Sequence, residues 1–147
     1  PTASLIITGD GNDRPALEAF VRSLGIETRV RFAGFAPDIR CVIAACDAVI
    51  VPSLKEGFGL VAVNAMALER SVVATTVGGL PEIIVDSETG FLVPPNAPES
   101  IARSLMLLVQ DKRLAERMGK QGRIRAKERF EIKTQIGKVL GVLKEAV

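Results

Sequence analysis

Glu56 heads the run Glu56-Gly57-Phe58-Gly59-Leu60, an acid followed by two spaced glycines and then by an apolar stretch. Gly57 and Gly59 allow backbone conformations closed to other residues and let a ligand approach the main chain closely. The first N–H groups of a helix have no intrahelical acceptor, so a helix starting at Leu60 would turn them toward an anion such as a phosphate. A carboxylate beside an anion site repels the anion unless it addresses a neutral, hydroxyl-rich part of the same ligand. A nucleotide sugar has both parts. The plain alternative is an ordinary strand-to-helix turn with a solvated Glu, and so short a motif does not separate the two.

The elements that must position this turn are legible on both sides of it. Ala48-Val49-Ile50-Val51 is a short, apolar, β-branched strand, and Pro52 ends it because proline cannot continue a sheet ladder. Leu60 to Leu68 is apolar on most sides, as a helix packed on a sheet is. The same alternation runs along the chain. A strand at Leu5 to Thr8 precedes Gly9-Asp10-Gly11-Asn12 and a helix from Arg14 to Leu24, which Gly25 stops. Arg29 to Ala33 is a strand leaving through Gly34 and Phe35, and Pro37 suits the first position of a helix reaching Cys46. Ser71 to Thr75 is a strand, Gly78-Gly79 a second glycine-rich turn into a short helix, and Phe91 to Val93 a last strand. Three helices follow, Glu99 to Val109, Lys112 to Phe130 and Ile132 to Glu145. Alternating strands and helices predict an α/β fold, a Rossmann-like doubly wound parallel sheet with C-terminal helices. In such a sheet ligands bind outside the carboxyl ends of the strands, where Gly9 and Gly11, Gly34 and Phe35, Glu56 to Leu60, and Gly78-Gly79 all fall.

Composition narrows the functions. With 147 residues, 48% of them hydrophobic, the chain suits a single well-cored domain. A net charge of +2, with six Phe and no Trp or Tyr, argues against nucleic acid as a partner. No His is present to serve as base or metal ligand, and Cys41 and Cys46 match no zinc or redox spacing, so no metal site is expected and both cysteines read as buried thiols. No apolar run is long enough to span a membrane, and no signal peptide opens the chain, which suits a cytoplasmic protein. The segment Asp111 to Lys133 holds nine Lys or Arg against four Asp or Glu. That excess suits peripheral contact with anionic lipid at the inner membrane face, although a solvated helix face explains it as well. Gly9-Asp10-Gly11-Asn12-Asp13-Arg14 carries Arg where a dinucleotide-binding fingerprint needs its third glycine, which disfavours an NAD module.

The runs PSLKEGFGLVAVNAMA and VVATTVGGLPEIIVDSETGFLVPP resemble the nucleotide-sugar-binding, C-terminal domain of retaining GT-B glycosyltransferases of family 4. GDGN, VRFAGF and CDAVIVPS stand in that family's order and spacing, so the resemblance covers nearly the whole chain. It implies transfer of a sugar from a UDP-, GDP- or ADP-sugar to an acceptor with retention at the anomeric centre, and no further cofactor. By the same resemblance Glu56 is the candidate catalytic residue, bonding the donor sugar's hydroxyls. The N–H groups of Phe58, Gly59 and Leu60 would meet sugar and diphosphate, with Gly57 leaving the main chain open to them. Gly34 and Phe35 would lie along the nucleobase, and Gly9 and Gly11 would border the diphosphate.

Two departures qualify that expectation. Asn64 stands where the family places a ribose-binding Glu, and Asn offers one neutral carbonyl where a carboxylate offers two charged oxygens. The substitution reads either as a weakened donor site or as a degenerate one in a non-catalytic scaffold. Glu69 and Ser71 replace a Gly and a Pro often seen after this helix. The chain also begins at Pro1 without a Met and runs directly into a strand, so a segment of a longer, two-domain enzyme is expected. The family's diphosphate-binding Arg and Lys and its acceptor-binding N-terminal domain lie upstream of such a segment. The chain alone is therefore expected not to transfer sugar.

Overall fold

The computed structural model describes residues 3–145. The chain divides into two compact units, residues 1–39 and 40–147, each with its own parallel sheet. The parallel α/β, Rossmann-like architecture is the expected one.

In the first unit β1 (Leu5–Thr8) pairs in parallel with β2 (Val30–Gly34), from Leu5 against Val30 to Thr8 against Gly34. Helix α1 (Arg14–Ser23) connects them, and Gly25 leaves it with φ 64°. A carbon at Cβ makes that left-handed conformation costly, so glycine is the residue that ends the helix here. The segment Glu27–Arg29 is a single 3-10 turn, which is why β2 begins one residue later than its hydrophobic pattern suggests.

The second unit carries the larger core. Helix α2 (Ile39–Ala44) starts two residues after Pro37, which occupies a bend and not the first helical turn. Strands β3 (Ala48–Val51), β4 (Ser71–Thr75) and β5 (Phe91–Val93) lie side by side in that order, all parallel. Central β4 is buried along its whole length, in keeping with a strand that is apolar at three of five positions and covered on both faces. Helix α3 (Leu60–Ala67) crosses from β3 to β4 and buries Ala62, Ala65 and Met66. Helix α4 (Leu80–Ile83) is one turn long, with Leu80 and Ile83 fully buried. Helices α5 (Pro98–Gln110) and α6 (Lys112–Phe130) enclose a core of Val73, Val93, Leu108 and Met118. Asp111 caps α6 by accepting from the Leu114 N–H at 3.0 Å. Helix α7 (Ile132–Glu145) follows after an extended Glu131.

Small residues set the seat of α6. A Cβ on Gly119 would run into the Glu69 carbonyl, and one on Gly122 would stand 3.2 Å from Met66 Cγ, so α6 lies directly on α3. Met118 is buried and Ile124 half exposed, about 120° apart around α6, so the two form no common stripe for lipid. Cys41 is exposed, contrary to expectation, because it lies on the outer side of the short α2, while Cys46 is half-buried with its thiol donating to the Val42 carbonyl.

Candidate functional site

The Glu56 turn hangs from the carboxyl ends of two strands. Thr75 at the end of β4 is fully buried, and its hydroxyl donates to the Ser53 carbonyl at 2.6 Å, with the Val51 carbonyl at 3.5 Å. The chain leaving β3 at Pro52 is thereby tied to β4. Ser53 then donates from its hydroxyl to Glu56 Oε2 at 3.2 Å, so the carboxylate is held at the mouth of the turn, half-buried. Gly59 precedes α3 with φ 98°, buried against Leu80 Cδ2 and Ile83 Cδ1, which would stand 2.9 and 3.1 Å from a Cβ there. No side chain caps α3. Its first N–H groups are therefore left for a ligand or water, with the partial positive end of the helix behind them.

Glycine serves two different purposes in this unit. At Gly78, with φ 52°, a Cβ would run into the Glu56 carbonyl, and at Gly79 one would stand 2.8 Å from the Gly57 carbonyl. The Gly79 N–H donates to that same Gly57 carbonyl at 3.2 Å. The second glycine-rich turn is thus the backbone floor under the first. Gly57 is the opposite case. Nothing lies within 4 Å of a Cβ built on it, so packing gives no reason for its glycine. Phe58 and Leu60 are both exposed, Phe58 with its ring edge against Phe130 at 5.8 Å between centroids. Asn64 lies one turn into α3, half-buried and on the same face as Leu60.

In the first unit the Gly9 N–H donates to the Gly34 carbonyl at 2.8 Å, which brings the ends of β1 and β2 together. Both glycines have positive φ, 110° and 68°, so both are required by their conformation. Gly11 accepts from the Arg14 N–H and has open space at its Cβ position, and Phe35 is 78% exposed. Arg14 lies next to Gly34, its Nη1 3.5 Å from where a Cβ would be. It pairs with Glu18 at 2.8 Å and Asp10 at 3.4 Å and lies over the Phe32 ring. The hydrogen bond it donates to Glu18, with a weaker one donated to Asp10, holds its guanidinium pKa above the ordinary value.

Ser53, Thr75 and Arg14 are the residues sequence reasoning missed. Arg14 had a signal, since it replaces a fingerprint glycine, but it reads there as a departure and not as a contributor. Ser53 and Thr75 had none: a Ser three residues before an acid and a Thr at a strand end are common. Among the described residues no group of His, Cys, Asp or Glu could hold a metal ion, and no helix is long and apolar enough to cross a membrane.

These turns stand at strand ends in parallel α/β, Rossmann-like frames of the kind found in GT-B glycosyltransferase structures. Residues 1–125 match the family described as Glycosyl transferases group 1, and the chain belongs to that family. It is 34% identical over 128 residues to N-acetyl-alpha-D-glucosaminyl L-malate synthase of Bacillus anthracis, covering 87% of this chain and 34% of that one. The crystal structure of Anabaena Alr3699/HepE in complex with UDP superposes with a TM-score of 0.93 at 30% identity, over 99% of this chain and 42% of that chain. The C-terminal domain of the group 1 glycosyl transferase LpcC from Francisella tularensis superposes at 0.79 with 28% identity, over 88% and 86%. The chain spans about a third of the length of the curated relatives it matches.

Proposed function

We propose that the chain is the donor-binding domain of a retaining GT-B glycosyltransferase of family 4, which transfers a sugar from a nucleoside-diphosphate sugar to an acceptor. The observation that carries this reading is the Glu56 turn: a carboxylate steadied by Ser53 beside the uncapped start of α3, with Gly57 left open where packing needs no glycine. The HepE structures with UDP and with UDP-glucose support a nucleotide sugar as the ligand class and make UDP-sugars the first donors to try.

In this reading Glu56 accepts hydrogen bonds from the donor sugar's hydroxyls. The N–H groups of Phe58, Gly59 and Leu60 meet the sugar and diphosphate, and Asn64 takes one ribose hydroxyl. The transition state of such a transfer is oxocarbenium-like, with negative charge growing on the departing diphosphate. The N–H groups at the start of α3 would stabilise part of that charge. An N-terminal domain would supply the acceptor site, further cations and exclusion of water. The chain alone then binds donor without transferring sugar. A cytoplasmic setting, with α6 against anionic lipid, belongs to the same proposal: Arg113, Arg117, Lys120 and Lys127 share the outer side of α6, opposite Met118 and Gly122.

Titration of the full 147-residue chain with UDP-, GDP- and ADP-glucose, followed by calorimetry and by amide NMR shifts, tests it. The expected result is saturable binding of one donor with shifts at Gly57 to Leu60. No binding by any of them at millimolar concentration would sink the reading. Asn64 favours a second reading, a non-catalytic scaffold with a degenerate site, and the Asn64→Glu variant separates the two as described below.

A further inference from the structure

We infer that Arg125, on α6 and away from the strand ends, is a positioning residue for the turn that bears Glu56. Its guanidinium donates through Nε to the Ile83 carbonyl at 2.7 Å and through Nη2 to the Glu82 carbonyl at 2.6 Å. Those carbonyls end the one-turn helix α4, which the chain leaves in an extended conformation at Ile84 (φ −97°, ψ 130°), so they need an outside donor. A planar fork delivers two N–H groups at once in fixed geometry, which an ammonium does not. Arg125 is itself fixed, because Met118, Gly119, Gly122 and Ala126 bury the inner face of α6 against the core.

Helix α4 is what the Glu56 turn rests on. Its Leu80 and Ile83 side chains close over Gly59, and Gly79 just before it holds the Gly57 carbonyl at 3.2 Å. Ser53 and Thr75 hold the entry of the turn, while its glycine-rich part from Gly57 to Gly59 rests on α4 and the residues just before it. One end of α4 is thus bonded by Arg125 and the other carries the turn. The inference that this bears on ligand affinity rests on the donor-binding reading. The bracing of the turn itself does not.

Two variants of the full chain test it, Arg125→Met, which removes both donors and keeps the stem, and Arg125→Lys, which keeps a cation able to reach one carbonyl. In the ligand-free chain, hydrogen exchange at the Gly79 amide should rise about tenfold in Arg125→Met while the amides of Val72 to Ala74 in β4 keep their protection. Affinity for UDP-glucose should fall about tenfold in Arg125→Met and about threefold in Arg125→Lys, and Arg125→Met should add no loss in a Glu56→Gln background. Unchanged exchange at Gly79, or an equal rise at Gly79 and through β4, would overturn the positioning role. An additive loss in the double variant would overturn a route through the Glu56 carboxylate. If the unsubstituted chain binds no nucleotide sugar, the donor-binding reading falls and the exchange measurement alone decides the role of Arg125.

Discussion

Glu56 and Asn64 divide the work of the proposed site between a charged and a neutral acceptor, and the difference is measurable. A hydrogen bond to an ionised group contributes about 1.5–3 kcal/mol against about 1 for a neutral pair, so Glu56→Gln should weaken nucleotide-sugar binding roughly tenfold. Binding of the sugar-free nucleoside diphosphate should change little, and calorimetry with both ligands checks the contrast. Asn64→Glu should strengthen binding by about the same factor if ribose hydroxyls reach position 64. No gain would favour the scaffold reading. Two other residues carry costs unrelated to ligand. Glu69 has φ 57°, a left-handed conformation that suits glycine, and its pairing with Arg123 at 3.1 Å is exposed. Glu69→Gly is expected to be neutral or to stabilise the chain by up to about 1 kcal/mol, since an exposed pair contributes little. The Ser71 hydroxyl is buried and without a partner, so Ser71→Ala should raise thermal stability by about 1 kcal/mol.

Among the elements, the pair of glycine-rich turns makes the sharpest prediction. Gly78→Ala puts a methyl group into the Glu56 carbonyl at a left-handed φ, and should cost about 3 kcal/mol or more, read as a fall in melting temperature. Gly57→Ala adds the same methyl group where nothing lies within 4 Å, and should leave stability within about 0.5 kcal/mol while reducing nucleotide-sugar affinity. Equal effects of the two would contradict the separation of floor from mouth. At this scale most elements were legible: strands Leu5–Thr8, Ser71–Thr75 and Phe91–Val93, and helices Lys112–Phe130 and Ile132–Glu145, lie where the patterns put them. Hydrophobic periodicity is local and survives without knowledge of partners. Pro37 misled because its fixed φ suits a bend as well as a first helical turn. At the second glycine-rich turn the close approach is by the Glu56 and Gly57 backbone. Gly-Gly announces a close approach, but not whether ligand or backbone approaches.

For the whole molecule, group 1 glycosyl transferase membership together with a length about one third of the curated relatives leads to a test of completeness. The 147-residue chain should bind donor yet release no transferred sugar, checked by following a labelled nucleotide sugar in the presence of candidate acceptors. The outer stripe of α6 should carry the chain down with vesicles containing anionic lipid at low salt and not at about 0.5 M, since surface attraction is screened there. Equal sedimentation with zwitterionic vesicles would argue against an electrostatic contact. The residues in order determined the alternation of strands and helices, the turns at the strand ends and the candidate acid, because each depends on neighbours a few positions away. Which glycine answers to packing and which stands open, and which side chains hold the acid, was decided only by the tertiary structure. Thr75 is 22 residues from Ser53 and Arg125 is 42 from Ile83. Bonds across such separations leave no local pattern, and they exist only once the sheet and α6 have brought the partners together.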